Sequence, residues 1–150
     1  MDNVDRSVQR QMVLRMQLDD KAYQPLRAHM EDAGLDLRAP EAFVLKAHSF
    51  AVVDTGVHVQ IERGWYGKLE SKSGLNVNHG IVCPGGVIDS GYTGSIKANL
   101  YNFSDEDYEF QAGDKMVQLV IVPCATPLIQ VVQELDGTDR GDDGFGSSGR

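Results

Sequence analysis

The sequence predicts an all-β fold of the sandwich or jelly-roll kind. Two observations carry this. Apolar and polar residues alternate with period two through several short runs, and glycine- and asparagine-bearing segments break those runs at short intervals. A third is the thinness of helix signals: no stretch sustains a 3.6-residue apolar period with caps. Asp19–Glu31 could hold a turn or two, but Pro25 interrupts it.

In chain order, Met12–Leu18 is the first candidate strand and Phe43–Leu45 the second. Thr55–Ile61 sets Val57, Val59 and Ile61 against His58 and Gln60, the pattern of a half-buried strand. Trp65–Ser71 follows, and Ser95–Phe103 alternates over a longer stretch. Lys115–Val122 is richer in β-branched residues and is expected to lie deeper. Leu128–Glu134 is the last candidate. From Leu135 onward apolar residues give way to glycine, aspartate and serine. The chain therefore divides into a single β domain, residues 1–135, and a flexible glycine-rich C-terminal arm, residues 136–150.

A chain of 150 residues forms one domain, and its 41% hydrophobic and 24% charged residues are ordinary globular values. The net charge of −8 argues against a partner bound through a nucleic-acid backbone, which calls for a basic face. A small anionic ligand remains open, because local cations or a metal reverse the field inside a site. Cys83 and Cys124 fall in no metal or redox spacing and read as reduced thiols. The opening MDNVDRSVQR is too polar for a secretory signal. The longest strongly apolar run, Val117–Ala125, is broken by Gln118 and Pro123 and is too short for a bilayer. The expectation is a soluble, cytoplasmic protein with neither nucleic acid nor membrane as partner.

Taken singly, the chemistry-bearing residues say little. His29, His48, His58 and His79 show no metal-type pairing, and His58 reads as a solvent-facing position of its strand. Asp36, after Gly34-Leu35, reads as a turn carboxylate. Asp89, between Val87-Ile88 and Ser90-Gly91-Tyr92, falls at a strand end where burial and function are both open. Gly144–Gly149 spells G-x-G-x-x-G, but a dinucleotide site needs a strand before it and a helix after it, and only Arg150 follows.

Five segments taken together say more. They are Ala33–Leu37 (AGLDL), Glu70–Leu75 (ESKSGL), Gly86–Gly94 (GVIDSGYTG), Gly113–Leu119 (GDKMVQL) and Arg140–Gly149 (RGDDGFGSSG). In that order and at that spacing the chain resembles the trimeric dUTPases (dUTP pyrophosphatases) over nearly its whole length. Thr55-Gly56-Val57 and Tyr101-Asn102, outside the motifs, agree.

The resemblance implies a jelly-roll-like dUTPase fold of the β-clip type and hydrolysis of dUTP to dUMP and pyrophosphate. That reaction limits uracil incorporation into DNA and supplies dUMP for dTMP synthesis. Water would attack the α-phosphorus, oriented and activated by Asp89. Tyr92 would pack on the deoxyribose and leave no room for a 2′-hydroxyl. Gly85, Gly86, Val87 and Ile88 would shape the hairpin that reads uracil, with Phe145 stacked over the ring. Lys72, Ser73, Gly74, Gln118, Arg140, Gly146, Ser147 and Ser148 would hold the phosphates. Mg2+ would bridge the phosphates, with Asp36 reaching it through water. The family implies a homotrimer whose three sites are shared. One chain would supply the uracil pocket and Asp89, a second Ser73 and Gln118, and the third its arm.

Two positions depart from the family pattern. Lys72 stands where arginine is usual, which keeps the charge but loses a planar grip on phosphate. Gly91 stands where an acidic residue is more common. Two alternatives share the scaffold: a dCTP deaminase, alone or bifunctional, and a nucleotide sensor with a regulatory protein partner. A deaminase needs a glutamate on the strand after the third motif, and alignment on Gly94 and Asn102 puts Asn99 there. An amide cannot shuttle protons.

Overall fold

The computed structural model describes residues 12–139 and 141–142. Its strands are β1 (Arg15–Leu18), β2 (Gly34–Arg38), β3 (Phe43–Leu45), β4 (Ser49–Asp54), β5 (Val57–Gln60) and β6 (Trp65–Ser71). After the helix α1 (Ser73–His79) come β7 (Ile81–Val82), β8 (Val87–Ile88), β9 (Lys97–Asn102), β10 (Tyr108–Phe110) and β11 (Lys115–Pro123). The protein is all-β, as its sequence predicts.

The pairing is antiparallel throughout. One sheet has the order β2-β11-β6-β8 and another β4-β9-β7, with β1-β5 and β3-β10 as separate pairs. Alternation along the strands sends one face inward. Leu35, Leu37, Leu69, Val117 and Leu119 from the first sheet meet Ile81, Ala98 and Leu100 from the second, with Val57, Val59 and Phe110 among the same core. Phe110 is fully buried and stacks on Phe43, ring centroids 4.8 Å apart, which closes the β3-β10 end.

The strands expected at Met12–Leu18, Phe43–Leu45, Thr55–Ile61, Trp65–Ser71 and Ser95–Phe103 are present, some with shorter ends, and β11 runs one residue past Val122. One expectation is corrected. Leu128–Glu134 forms no strand: Leu128, Ile129 and Val131 are 99%, 92% and 92% exposed, because no strand edge among the described residues pairs with them. Asp19–Glu31 holds no helix, in keeping with the interruption at Pro25. A turn at Asp20-Lys21 leads to an extended segment whose Leu26 bridges Asp36. The longest helix among the described residues is α1, and none is long and apolar enough to cross a membrane.

Candidate active site

Four of the five motifs fall wholly on described residues, and the fold gathers three of them on one face. Asp36 of β2, Gln118 of β11 and Glu70 of β6 are register partners across three adjacent strands, so their side chains share the face turned away from Leu35, Leu119 and Leu69. Asp36 is 3% exposed. A carboxylate so placed must be paired, and two lysines do it. Lys72 Nζ lies 2.5 Å from Oδ1 and Lys115 Nζ lies 2.7 Å from Oδ2. Burial alone pushes the carboxyl pKa up. The hydrogen bonds from Lys115 and Lys72 outweigh it and hold the group below the usual carboxylate value.

Lys115 reaches that face because of a β-bulge. Its partner is Arg38 while Val117 pairs with Leu37, so β11 spends an extra residue there. Met116 and Val117 both turn inward, 1% and 0% exposed. Without the extra residue, period two would put Lys115 on the core side with Val117.

Gln118 folds back over Gly34 and donates from Nε2 to the Ser71 carbonyl at 3.0 Å. A Cβ at Gly34 would fall 2.0 Å from Gln118 Oε1, so this placement requires glycine. Ser71 also ties the sheet to the next motif. Its hydroxyl donates to the Cys83 carbonyl at 3.1 Å and accepts the Cys83 N–H at 2.9 Å. Lys72 follows in extended conformation as the helix N-cap, and exposed Ser73 and Gly74 open α1, which ends at Gly80 with φ of 63°.

The third motif builds a separate cleft of about 270 Å³ at the other edge of the sheet, lined by Leu69, Gly85, Gly86, Val87, Ile88, Asp89, Tyr92 and Lys97. Two of its lining residues are glycines, and the hairpin that carries them is tied to the sheet. Leu69 N–H donates to the Gly86 carbonyl at 3.0 Å, and β8 pairs with β6 at Gly67 and Lys68. Gly85 has φ of 104°, a conformation only glycine adopts without strain. Asp89 sits on the rim, exposed, and its carbonyl accepts the Tyr92 N–H at 3.0 Å. The Tyr92 ring, 42% exposed, is fixed by its hydroxyl donating to the Ser95 carbonyl at 2.9 Å.

The structure thus brings Asp36, Lys72 and Gln118 into one neighbourhood, and Gly85, Gly86, Val87, Ile88, Asp89 and Tyr92 into another. The cleft holding Asp89 is lined by none of Lys72, Ser73 or Gln118. Arg140, Phe145, Gly146, Ser147 and Ser148 lie outside the described residues. Sequence reasoning missed Lys115, Gly34, Ser71 and Lys97. Lys115 and Gly34 sit inside two of the quoted motifs, but only the bulge and the back-folded glutamine show their use. Asn99, on β9, pairs in register with Val52. Among the described residues no three His, Cys, Asp or Glu groups cluster to hold a metal.

The family profile described as dUTPase matches residues 20–149. A deoxyuridine 5′-triphosphate nucleotidohydrolase of Paramecium bursaria Chlorella virus 1 is 39% identical, over 91% of this chain and 97% of its own length. That of Mus musculus is 36% identical over 90% and 83%. Among solved structures, a mutant dUTPase of Staphylococcus bacteriophage 80alpha with dUpNHpp superposes with a TM-score of 0.86 at 32% identity, covering 92% of this chain and 99% of that one. A mutant of the phage phi11 enzyme, with a coordinated structural Mg(II) ion, gives 0.78 at 31% identity over 84% and 100%.

Proposed function

The chain belongs to the dUTPase family, and we infer from its geometry how it acts as a hydrolase on dUTP, releasing dUMP and pyrophosphate. The observation that carries the reading is the Asp89 cleft: a carboxylate on the rim of a pocket lined in part by Gly85 and Gly86, three residues from a fixed tyrosine ring. Asp89 accepts a proton from water poised for in-line attack on the α-phosphorus. The glycine walls let peptide groups approach uracil closely enough to exclude a 5-methyl group. Cytosine would leave those buried donors and acceptors unmatched. Tyr92 presents its ring where a 2′-hydroxyl would clash.

We place the phosphates against Lys72, the Ser73 hydroxyl, the Gly74 amide and Gln118. Lys72 leaves Asp36 to meet them, and Lys115 stays behind to keep the buried carboxylate paired. Both Asp36 oxygens carry lysine contacts, so the side chain does not suit direct metal ligation. Carboxylate lone pairs remain for a metal-bound water. The residues therefore fit Mg2+ held mainly by substrate phosphates, with Asp36 touching its hydration shell. When bound, the ion neutralises charge developing on the phosphate oxygens.

The two half-sites lie apart on one chain, and the apolar run from Leu128 is exposed and unpaired among the described residues. Both observations support a homotrimer in which each site takes Asp89 from one subunit and Ser73 and Gln118 from another. We assign residues 1–135 to the β domain and 136–150 to an arm closing over a neighbour's site. In that arm Arg140, Gly146, Ser147 and Ser148 meet the phosphates and Phe145 the base. Removing residues after Asp139 then leaves a folded trimer with severely reduced turnover. Cys83 and Cys124 are both free thiols, in keeping with a reducing compartment, and we take the cytoplasm as the setting.

The test is pyrophosphate release from dUTP, UTP, dTTP and dCTP in parallel, with and without magnesium. Selective cleavage of dUTP is the expected result. Ammonia release from dCTP would overturn it.

A further inference from the structure

Residues 89–96, between β8 and β9, belong to no strand, yet they carry Asp89 and Tyr92. Their position is set from outside, by the corner joining β4 to β5. Ser95 donates its hydroxyl to Asp54 Oδ1, and Thr55 Oγ1 donates to the Ile96 carbonyl at 2.7 Å. Of these outside contacts, the one nearest the tyrosine in sequence is made by His58 of β5. Its Nδ1 lies 2.8 Å from the carbonyl oxygen of Thr93, the residue directly after Tyr92. The ring has little freedom of its own. A Cβ at Gly94 would fall 2.5 Å from the Tyr92 hydroxyl, so ring and turn backbone lie in close contact and move together.

We propose that His58 is a positioning residue: by holding the Thr93 carbonyl it fixes the Tyr92 ring, and so sets how strictly the site separates deoxyribose from ribose. The proposal rests on the dUTP reading above. A carbonyl accepts only, so Nδ1 must carry a proton. The other ring nitrogen, Nε2, lies 3.3 Å from Asp19 Oδ1. Nε2 is buried and makes no hydrogen bond among the described residues, but the Asp19 carboxylate lies within ion-pair distance of it, and a negative charge there favours the doubly protonated ring. The charged groups around it are Asp19 beyond β1, Asp54 at the end of β4 and Arg15 on β1, which lines the same groove. The Thr93 carbonyl above all, then Asp19 and Asp54 against a counteracting effect of burial, pushes the imidazole pKa above its ordinary 6.5.

The loss of that proton has a definite consequence. A neutral ring has one N–H. With the proton on Nδ1, a lone pair on Nε2 faces the Asp19 carboxylate. With the proton on Nε2, a lone pair faces the Thr93 carbonyl. Either tautomer turns one attraction into a repulsion. The tether is complete below the ordinary histidine pKa and weakens as pH rises through the raised one.

The experiment measures kcat and KM for dUTP and UTP between about pH 5.5 and 9 on the full chain, His58→Ala and His58→Asn. Asparagine places an amide donor near the position of Nδ1 without a titrating charge. In the wild type, the dUTP-to-UTP ratio of kcat/KM should fall as pH rises. His58→Ala should lower that ratio about tenfold at acid pH, the size expected for one lost hydrogen bond at a specificity contact, with KM moving more than kcat. His58→Asn should recover most of the ratio and abolish its pH step. Selectivity unchanged in His58→Ala, or a lower Tm with the ratio intact, would overturn the proposal. If His58→Ala does not fold, a pH step that persists in His58→Asn overturns it equally. A wild type inactive on dUTP would instead sink the parent reading.

Discussion

Lys115 Nζ stands 2.7 Å from Asp36 Oδ2 because one extra residue in β11 turns it out of the core. With Lys72 on the other oxygen, a carboxylate that is 3% exposed carries two cations, and one of them can leave without stranding it.

Replacing Asp36 by Asn should therefore cost roughly 3 kcal/mol at neutral pH, the low end for a broken buried pair because both lysines are partly exposed. The cost also depends on pH. The folded pKa lies below the unfolded value of 3.8, so the stabilisation is whole above that pH and is lost as pH falls through the lowered one. Urea unfolding of both proteins across an acid series checks this: their stabilities should differ fully above pH 3.8 and converge as pH falls from there through the lowered folded value.

Gly34→Ala should act on the phosphates at a distance. The new Cβ would lie 2.9 Å from Gln118 Cβ as well as 2.0 Å from its Oε1, so a rotation of the amide alone does not relieve the clash. Overpacking of this kind costs about 1–3 kcal/mol. Loss of the Gln118–Ser71 bond should also raise KM for dUTP. Thermal unfolding and steady-state kinetics on one preparation read both effects.

Asp89→Asn should lower kcat by about 10² to 10⁴, the usual worth of a positioned general base. Asp89 has no ion pair to lose among the described residues and is exposed, so folding should not change. Calorimetric titration with the non-hydrolysable analogue dUpNHpp should find affinity within a few-fold of wild type. A variant that keeps most of the wild-type rate would refute the assignment.

Ile129→Asp addresses assembly. The residue is 92% exposed in the single chain, so an aspartate there costs the monomer almost nothing. If a neighbour's sheet covers it, a charge placed there is expensive. Sedimentation should show the wild type as a trimer and the variant shifted to smaller species, with activity falling in parallel.

The sequence exposed the fold where alternation was regular. β5 and β9 bury every second side chain, and β6 and β11 do so over part of their length, β11 beyond its bulge; all four are readable. β2 was not, because four successive residues, Gly34 to Leu37, are buried and its carboxylate is an interior group that looks like a turn residue. α1 escaped notice because seven residues with no buried side chain leave no periodic face to read. Leu128–Glu134 has a strand's composition without a strand's partner, and composition does not say in which molecule the partner lies. For the candidate site, the motifs mark Asp89, Tyr92, Ser73 and Gln118 as candidates by their order. The parts that depend on register, the bulge behind Lys115 and the His58 tether, depend on strand neighbours far apart in sequence and so left no local trace.

The separation of the Asp89 cleft from the face bearing Gln118 has a genetic meaning. If a working site draws on two chains, a lesion in Asp89 and a lesion in Gln118 damage different contributions to it. Two alleles, each silent alone, then complement one another when co-expressed, since a mixed oligomer contains junctions where both donors are intact. Inheritance of the activity would follow the subunit boundary and not the polypeptide.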